Sequence, residues 1–252
     1  MLKVSAKNSK NQTIQLTQSS SYQLVAISGI DPPVASIATA ELATDDGSQF
    51  NLARVPQRNI VLTIQPLNDV ETTRTALYPY FTPKAPVTMI IKTGNREVNI
   101  NGIVESFTVD YNANPQLIQV SIICPKPYFN DKTASSVSVS GTTTVNNKGD
   151  VETGFELTVT LSSSITIFRV RNTTTGKKLE FEDLTLQSGD VITIDTRTGQ
   201  KAAKYTRSGT DHSLLPYLDL LSDWVSLIPG NNSIVLSSGS GTIDFVPQYV
   251  GL

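Results

Sequence analysis

One short segment of the 252-residue chain carries several side chains that could act together. Residues 189–201, GDVITIDTRTGQK, place Asp195, Arg197 and Lys201 at and beyond the end of an apolar run. A carboxylate that accepts hydroxyl bonds, beside a forked guanidinium donor, can bind a sugar or a carboxylate. The same residues also fit two strands joined by a Thr-Gly turn, with a weak surface pair between Asp195 and Arg197. We interpret the segment as a hairpin and keep Asp195, Arg197 and Lys201 as candidate interface or saccharide contacts.

Trp224 is the only tryptophan of the chain and the fourth candidate contact. Its flat apolar face could stack on a sugar ring, but Leu220, Leu221 and Leu227 lie close to it in sequence. A single tryptophan among leucines is more typical of a core or a domain interface. We therefore interpret Trp224 as a core or interface residue and keep it as a candidate contact.

Signatures of catalysis and metal binding are weak. His212 and Cys124 are each the only residue of their type, so an intrachain disulfide and a zinc site of nitrogen and sulfur ligands are excluded. The segment Asp45-Asp46-Gly47 lacks the ligand spacing of a calcium loop and is interpreted as a turn. There is no Gly-x-Ser-x-Gly elbow and no phosphate-binding glycine loop. We predict no enzyme activity, no metal and no cofactor, while a glycosidase or esterase on a β-scaffold stays open as an alternative.

The overall charge argues against two other classes of protein. The net charge is −2, and charged residues make up 17% of the chain without a long run of one sign. Binding to DNA irrespective of its sequence needs clustered Lys and Arg, which are missing. No apolar stretch approaches the ~20 residues of a spanning helix, and Met1–Lys7 is not followed by the apolar segment of a signal peptide.

Apolar and polar residues alternate with period two in several segments, which predicts half-buried β-strands. The clearest are 60–64, 87–91, 98–104, 118–124 and 155–161. Turn-forming residues recur between such segments, at 93–95, 146–149, 175–176, 198–199 and 229–232. The predicted fold class is mainly β, with two antiparallel β-sandwich or barrel-like domains.

A single short helix is predicted in the first half, within NDVETTRTALYPYF. Asn68 is a suitable N-cap with Glu71 three residues later, and Pro79 should end the helix near Tyr78. For residues 217–225 a second short helix and a strand fit about equally well.

The two prolines of CPKPYFND, residues 124–131, close the first half. The segment that follows is rich in Ser, Thr and Gly and resembles a linker that contains one edge strand. We expect a first domain at residues 1–135 and a second at 136–252.

The order of motifs along most of the chain resembles the distal tail protein (Dit) family of long-tailed, non-contractile phages. The resemblance rests on Gly29–Pro33, RNIVLTI at 58–64, ALYPYFTPK at 76–84, NGIVE at 101–105 and CPKPYF at 124–129. In the second half it rests on GDVITIDTRTGQK and on SDWVSLIPGNNSI at 222–234. Nothing in residues 1–20 contributes to it.

The resemblance implies a structural protein of the virion, at the tail tip. It implies a homo-hexameric ring of first domains around the DNA channel, in which a β-hairpin or belt region clasps the next subunit and DNA passes without specific binding. The second domain is expected to be a galectin-like sandwich, and residues 245–252 are a candidate return to the first domain. The implied partners are the tail tube protein, the tape-measure protein, a tail-associated lysin or tail spike, and peripheral baseplate or receptor-binding proteins.

The resemblance further implies assembly in the host bacterial cytoplasm, which the predicted absence of disulfides fits, and it implies no membrane insertion. The alternative is a carbohydrate-binding module that recognises a saccharide of the host surface. Sugar over Trp224, or near Asp195 and Arg197, would favour that alternative.

Overall fold

The computed structural model describes residues 2–17, 19–41, 46–94 and 96–252. The chain divides into two compact units. Unit 1 comprises residues 1–132 and 249–252, and unit 2 comprises residues 133–248. Strands dominate both units, their pairings are antiparallel, and α1 (Val70–Phe81) is the only α-helix in the described ranges. The predicted mainly β fold, with one short helix in the first half, is confirmed.

The strands of unit 1 form one large sheet and one separate hairpin. In chain order they are β1 (Lys3–Asn8), β2 (Thr13–Gln15), β3 (Tyr22–Ser28), β4 (Ser36–Glu41), β5 (Ser48–Arg54), β6 (Arg58–Pro66), β7 (Pro86–Thr93), β8 (Arg96–Asp110), β9 (Leu117–Cys124) and β10 (Phe129–Asp131). The sheet has the order β2-β1-β7-β8-β9-β6-β3, and β4 and β5 pair only with each other.

The alternation of apolar and polar residues along its strands determines which face of this sheet is buried. β6 pairs with β9 in a register that places Ile60 opposite Ile122 and Leu62 opposite Val120. All four side chains are fully buried, while Asn59 on the other face is exposed. The predicted strands thus contribute one row each to a common core, as period-two alternation requires.

The helix begins one residue later and ends three residues later than predicted. Asp69, not Asn68, is the N-cap, and its carboxylate accepts the Thr72 backbone N–H at 2.8 Å. The helix continues through Pro79 to Phe81, because burial of Leu77 and Phe81 against the core favours the last turn over the local preference set by proline. No helix in the described ranges is both long and apolar enough to span a membrane.

Unit 2 is built from the remaining strands. They are β11 (Ser135–Asn147), β12 (Glu156–Thr160), β13 (Phe168–Asn172), β14 (Lys178–Phe181), β15 (Val191–Asp195), β16 (Ala202–Arg207), β17 (Thr210–Ser213) and β18 (Gly230–Phe245), and β19 (Gln248–Tyr249) lies at the boundary with unit 1. The Ser- and Thr-rich segment predicted to be a linker with one edge strand is mostly β11, which pairs with β18 and with no other strand in the described ranges.

β18 is a long strand that pairs with two other strands of unit 2 in succession. Residues 234–236 of β18 pair with β13, and residues 240–244 pair with β12. The strand changes partner near Gly239, which has a φ of 81°. Apolar residues of both partner strands, such as Val170 of β13 and Leu157 of β12, belong to one buried core. This is the arrangement of a two-layer β-structure whose strands bend from one layer to the other.

Residues 217–225 form neither of the two structures predicted for them. Only Leu215–Tyr217 is helical, as a 3-10 turn, and the chain then runs along the outer edge of β14. The backbone N–H groups of Asp219 and Asp223 donate to the carbonyls of Glu180 and Lys178. These bonds cover an edge of the sheet that would otherwise be open to pairing with another chain.

A buried carboxylate fixes this covering segment. Glu180 is 6% exposed and accepts two bonds of 2.7 Å from the Arg169 guanidinium and one of 2.9 Å from Lys178. Lys178 also pairs with Asp219 at 3.3 Å. The bonds from Arg169 and then Lys178 lower the pKa of Glu180 to about 2, although burial opposes this shift.

We predict that the stability of unit 2 depends on acid through Glu180. The folded-state pKa, about 2, lies below the ordinary value of 4.5. The ionised group therefore stabilises the fold above pH 4.5, and this contribution is lost as the pH falls toward 2. Glu180→Gln should be less stable at neutral pH, and its loss of stability between pH 4.5 and 2 should be smaller. Urea unfolding at several pH values measures this, with Glu182→Gln as the control, and an unchanged acid profile in Glu180→Gln would contradict the prediction.

Candidate functional site

The structure brings the four predicted contact residues together as two pairs at one end of the β15–β16 hairpin. Asp195 lies opposite Ala202 at the last pair of that hairpin, so GDVITIDTRTGQK is a strand, a turn and the approach to the next strand. The Arg197 Nε atom is 2.9 Å and 3.1 Å from the two Asp195 carboxylate oxygens. The Arg197 Nη2 atom donates to Glu156 Oε2 at 2.7 Å. Glu156, on the neighbouring strand β12, is thus a member of the cluster that sequence reasoning missed.

Lys201 and Trp224 form the second pair. The Lys201 ammonium lies 5.3 Å from the centroid of the Trp224 ring, within the range of a cation–π contact. Trp224 is half-buried and packs against the core of unit 2, as expected from its leucine neighbours. The arrangement favours anchoring of the hairpin turn over stacking against a sugar ring.

Asp195 and Arg197 satisfy much of each other's hydrogen-bonding capacity. Burial acts to raise the pKa of Asp195, but hydrogen bonds from the Arg197 side chain and backbone bring it below its ordinary value. Arg197 is bonded to both Asp195 and Glu156, so its Nε and Nη2 donors are already used. A role of Asp195, Arg197, Lys201 or Trp224 in contacting a partner or a saccharide stays a prediction.

We predict that Arg197 acts mainly by joining β12 to the hairpin. Arg197→Ala should lower the free energy of unfolding of unit 2 by about 1 kcal/mol, the scale of a partly exposed ion pair. Denaturant unfolding measures the loss, and Thr198→Ala in the same turn is the control. A loss of several kcal/mol, or none, would show that the pair has a different role.

The most unusual surface of unit 1 is the hairpin of β4 and β5, hereafter the arm. Every described residue of both strands is exposed, including Ile37 at 63%, Phe50 at 62% and Leu52 at 60%. The strands pair only with each other. A lone two-stranded hairpin is at best marginally stable in water, and clustered exposed apolar side chains mark an interaction site.

The arm is apolar on both faces. Ile37 pairs with Ala53 and Ala38 pairs with Leu52, so Ile37 and Leu52 point to opposite faces. The register shifts between Ala38 and Thr39, so Phe50 pairs with Thr39 beyond an irregularity in β5 and lies on the face of Ile37. A partner that covers the arm must therefore contact it from two sides.

Arg58, at the start of β6, holds the chain where the arm begins. Its side chain is 3% exposed and lies 4.5 Å from the centroid of the Phe129 ring. It donates four short bonds, all to backbone carbonyls: those of Gly29 at 2.6 Å, Asp31 at 2.7 Å, Pro127 at 2.6 Å and Val250 at 2.6 Å. Burial lowers the pKa of Arg58.

Sequence reasoning did not single out Arg58, although a signal was present. Arg58 lies two, four and six positions before Ile60, Leu62 and Ile64. The period-two alternation therefore places it on the buried face of β6. An arginine on the buried face needs acceptors inside the fold.

Asp45 and Asn95, which belong to two of the predicted turns, lie outside the described residues.

A family model matches part of the chain. Residues 148–249 match the family model of the siphovirus-type tail component, C-terminal domain. The resemblance to phage distal tail proteins is thereby confirmed, and the tail component domain coincides with most of unit 2.

Solved structures extend the likeness beyond the tail component domain to the fold of the whole chain. The Dit protein (gp 19.1) of phage SPP1, described as a paradigm of the hub adsorption apparatus in phages that infect Gram-positive bacteria, matches with a TM-score of 0.74 and 16% identity. The alignment covers 97% of this chain and 98% of that chain. A chain from the activated baseplate of phage P2 with calcium matches with a TM-score of 0.50 and 10% identity over the same shares. No curated protein matches by sequence.

Proposed function

We propose that this chain is a structural protein of a phage tail tip, in which six copies close into a ring that joins the tail tube to the host-adhesion apparatus. The family of residues 148–249 and the fold shared with the SPP1 hub protein support a tail-tip role. The exposed arm is the observation that carries the ring, because it needs a partner that a single copy does not supply.

The partner of the arm is a second copy of the chain. An arm that leaves one subunit and docks on a different surface of the next makes a head-to-tail contact, and such contacts close into rings. Identical copies also supply one docking surface for every arm. Covering one buried Ile, Leu or Phe side chain contributes roughly 1.5–3 kcal/mol, so the three large residues of the arm favour association substantially.

The remaining partners follow from the same role. The ring of first units contacts the tail tube and the tape-measure protein, and unit 2 carries the tail spike or lysin and peripheral receptor-binding proteins. A net charge of −2 per copy gives the ring no general attraction for DNA phosphates, which suits a channel through which DNA passes. Assembly takes place in the host cytoplasm, and the chain performs no reaction.

The test is the mass of the purified protein in solution. A chain of 27.3 kDa should form particles of six times that mass, visible as rings by negative-stain microscopy. Replacing Ile37, Phe50 and Leu52 together by Ser should leave monomers that still fold, since all three side chains are exposed and contribute little to the core of unit 1. Analytical ultracentrifugation distinguishes the two states.

The matched control replaces Leu220 and Leu221 by Ser. These leucines are 100% and 80% exposed on unit 2, so the control removes a similar amount of exposed apolar surface outside the arm. The ring should persist in this variant. A wild-type chain that stays monomeric, even when mixed with tail tube and tail spike proteins, would overturn the proposal, as would a ring that survives the triple substitution.

A further inference from the structure

The last four residues, Tyr249–Leu252, lie against the chain just before the arm. We define this preceding segment, Gly29–Pro33, as the arm root. The Leu252 backbone N–H donates to the Ile30 carbonyl at 3.1 Å. A Cβ atom on Gly251 would lie 2.7 Å from the ring of Pro32, so only a glycine allows this approach without displacement.

Arg58 joins the same two segments from the core side. One of its terminal nitrogens donates to Gly29 and Asp31 in the arm root, and the other donates to Val250. Removing the C-terminal residues would therefore take away one acceptor of a buried guanidinium and one direct bond to the arm root. A buried donor without an acceptor favours rearrangement of its surroundings.

The C-terminal residues are themselves anchored in unit 1. The Tyr249 hydroxyl donates to Asp131 at 2.9 Å, and the Arg96 guanidinium lies 4.1 Å from the centroid of the Tyr249 ring. Arg96 also contacts the Gly251 carbonyl at 3.5 Å. The segment is thus held at both ends and can transmit its position to the arm root.

The length of the arm makes its direction sensitive to the root. A strand of seven residues, such as β5, extends about 20 Å at ~3.3 Å per residue. A rotation of about 10° at the root then moves the tip by roughly 3–4 Å, enough to lose the close contacts of an apolar interface.

We propose that Tyr249–Leu252 and Arg58 form a lock on the arm root, and that a chain enters the ring only when this lock is complete. The proposal rests on the ring proposed above. Because residues 249–252 follow unit 2 in the chain, a fragment that ends within or directly after unit 2 lacks part of the lock. Such fragments are kept out of the ring although the core strands of unit 1 are present.

The test compares the wild-type chain with a chain that ends at Gln248. Hydrogen exchange should become faster at residues 29–35 and in the arm, by tenfold or more, while exchange in β6 to β9 stays unchanged. The shortened chain should be monomeric when it is purified alone.

A milder variant tests the same contact in case the shortened chain misfolds. Gly251→Ala leaves the segment in place but introduces the contact with Pro32, and it should show the same changes to a smaller degree. Ser240→Ala, an exposed position of unit 2, is the control and should behave as the wild type.

The two proposals fail in different ways. If the wild-type chain forms no ring, the exchange measurement still tests the lock. Unchanged exchange at residues 29–35 in both the shortened chain and Gly251→Ala would overturn the lock, and so would rings formed by the shortened chain at wild-type yield. Faster exchange at the root together with loss of rings would support it.

Discussion

Arg58 donates to four carbonyls that belong to three separate stretches of unit 1: the arm root, the segment before β10 and the C-terminal residues. A guanidinium has five N–H donors and no acceptor, and when it is buried each donor needs an oxygen. Backbone carbonyls are fixed to the chain, so satisfying Arg58 also fixes the paths of these stretches. The stacking of the guanidinium over Phe129 restricts it further. The arm therefore starts from a defined position, although among the described residues its strands pair only with each other.

The two units differ in how far their strand edges are covered by other parts of the chain. In unit 2 the edge of β14 is covered by residues 217–223, and the edge strand β17 has only four residues and carries Asp211, which pairs with Lys204. These are common ways to prevent unwanted pairing of strands between molecules. The arm of unit 1 has no such protection and exposes large apolar residues on both faces. An exposed apolar hairpin of this kind is what the proposed contact between subunits requires.

Much of the fold could be predicted because alternation is a local property. Ile60 and Leu62, or Leu157 and Val159, occupy the buried face that their phase predicts. The helix boundaries were less accurate, since the last turn depends on burial of Phe81 and not on the preference around Pro79. Residues 217–225 were ambiguous because their structure follows from backbone bonds to β14, which no local pattern encodes. The pairing of Arg197 with Glu156 and the acceptors of Arg58 were also out of reach, since they join residues 41 and up to 192 positions apart.

The perturbed titratable groups of the described residues share one kind of environment. Among the described residues, each Asp or Glu whose pKa is perturbed has it lowered, chiefly by hydrogen bonds to cationic side chains or to backbone and hydroxyl donors. Burial raises the pKa of the Cys124 thiol to about 11. A general acid or base works best with a pKa near the ambient pH, and a nucleophilic cysteine needs a lowered pKa. These shifts go the opposite way and make the groups less reactive at neutral pH, while the paired carboxylates contribute to the rigidity of the sheets.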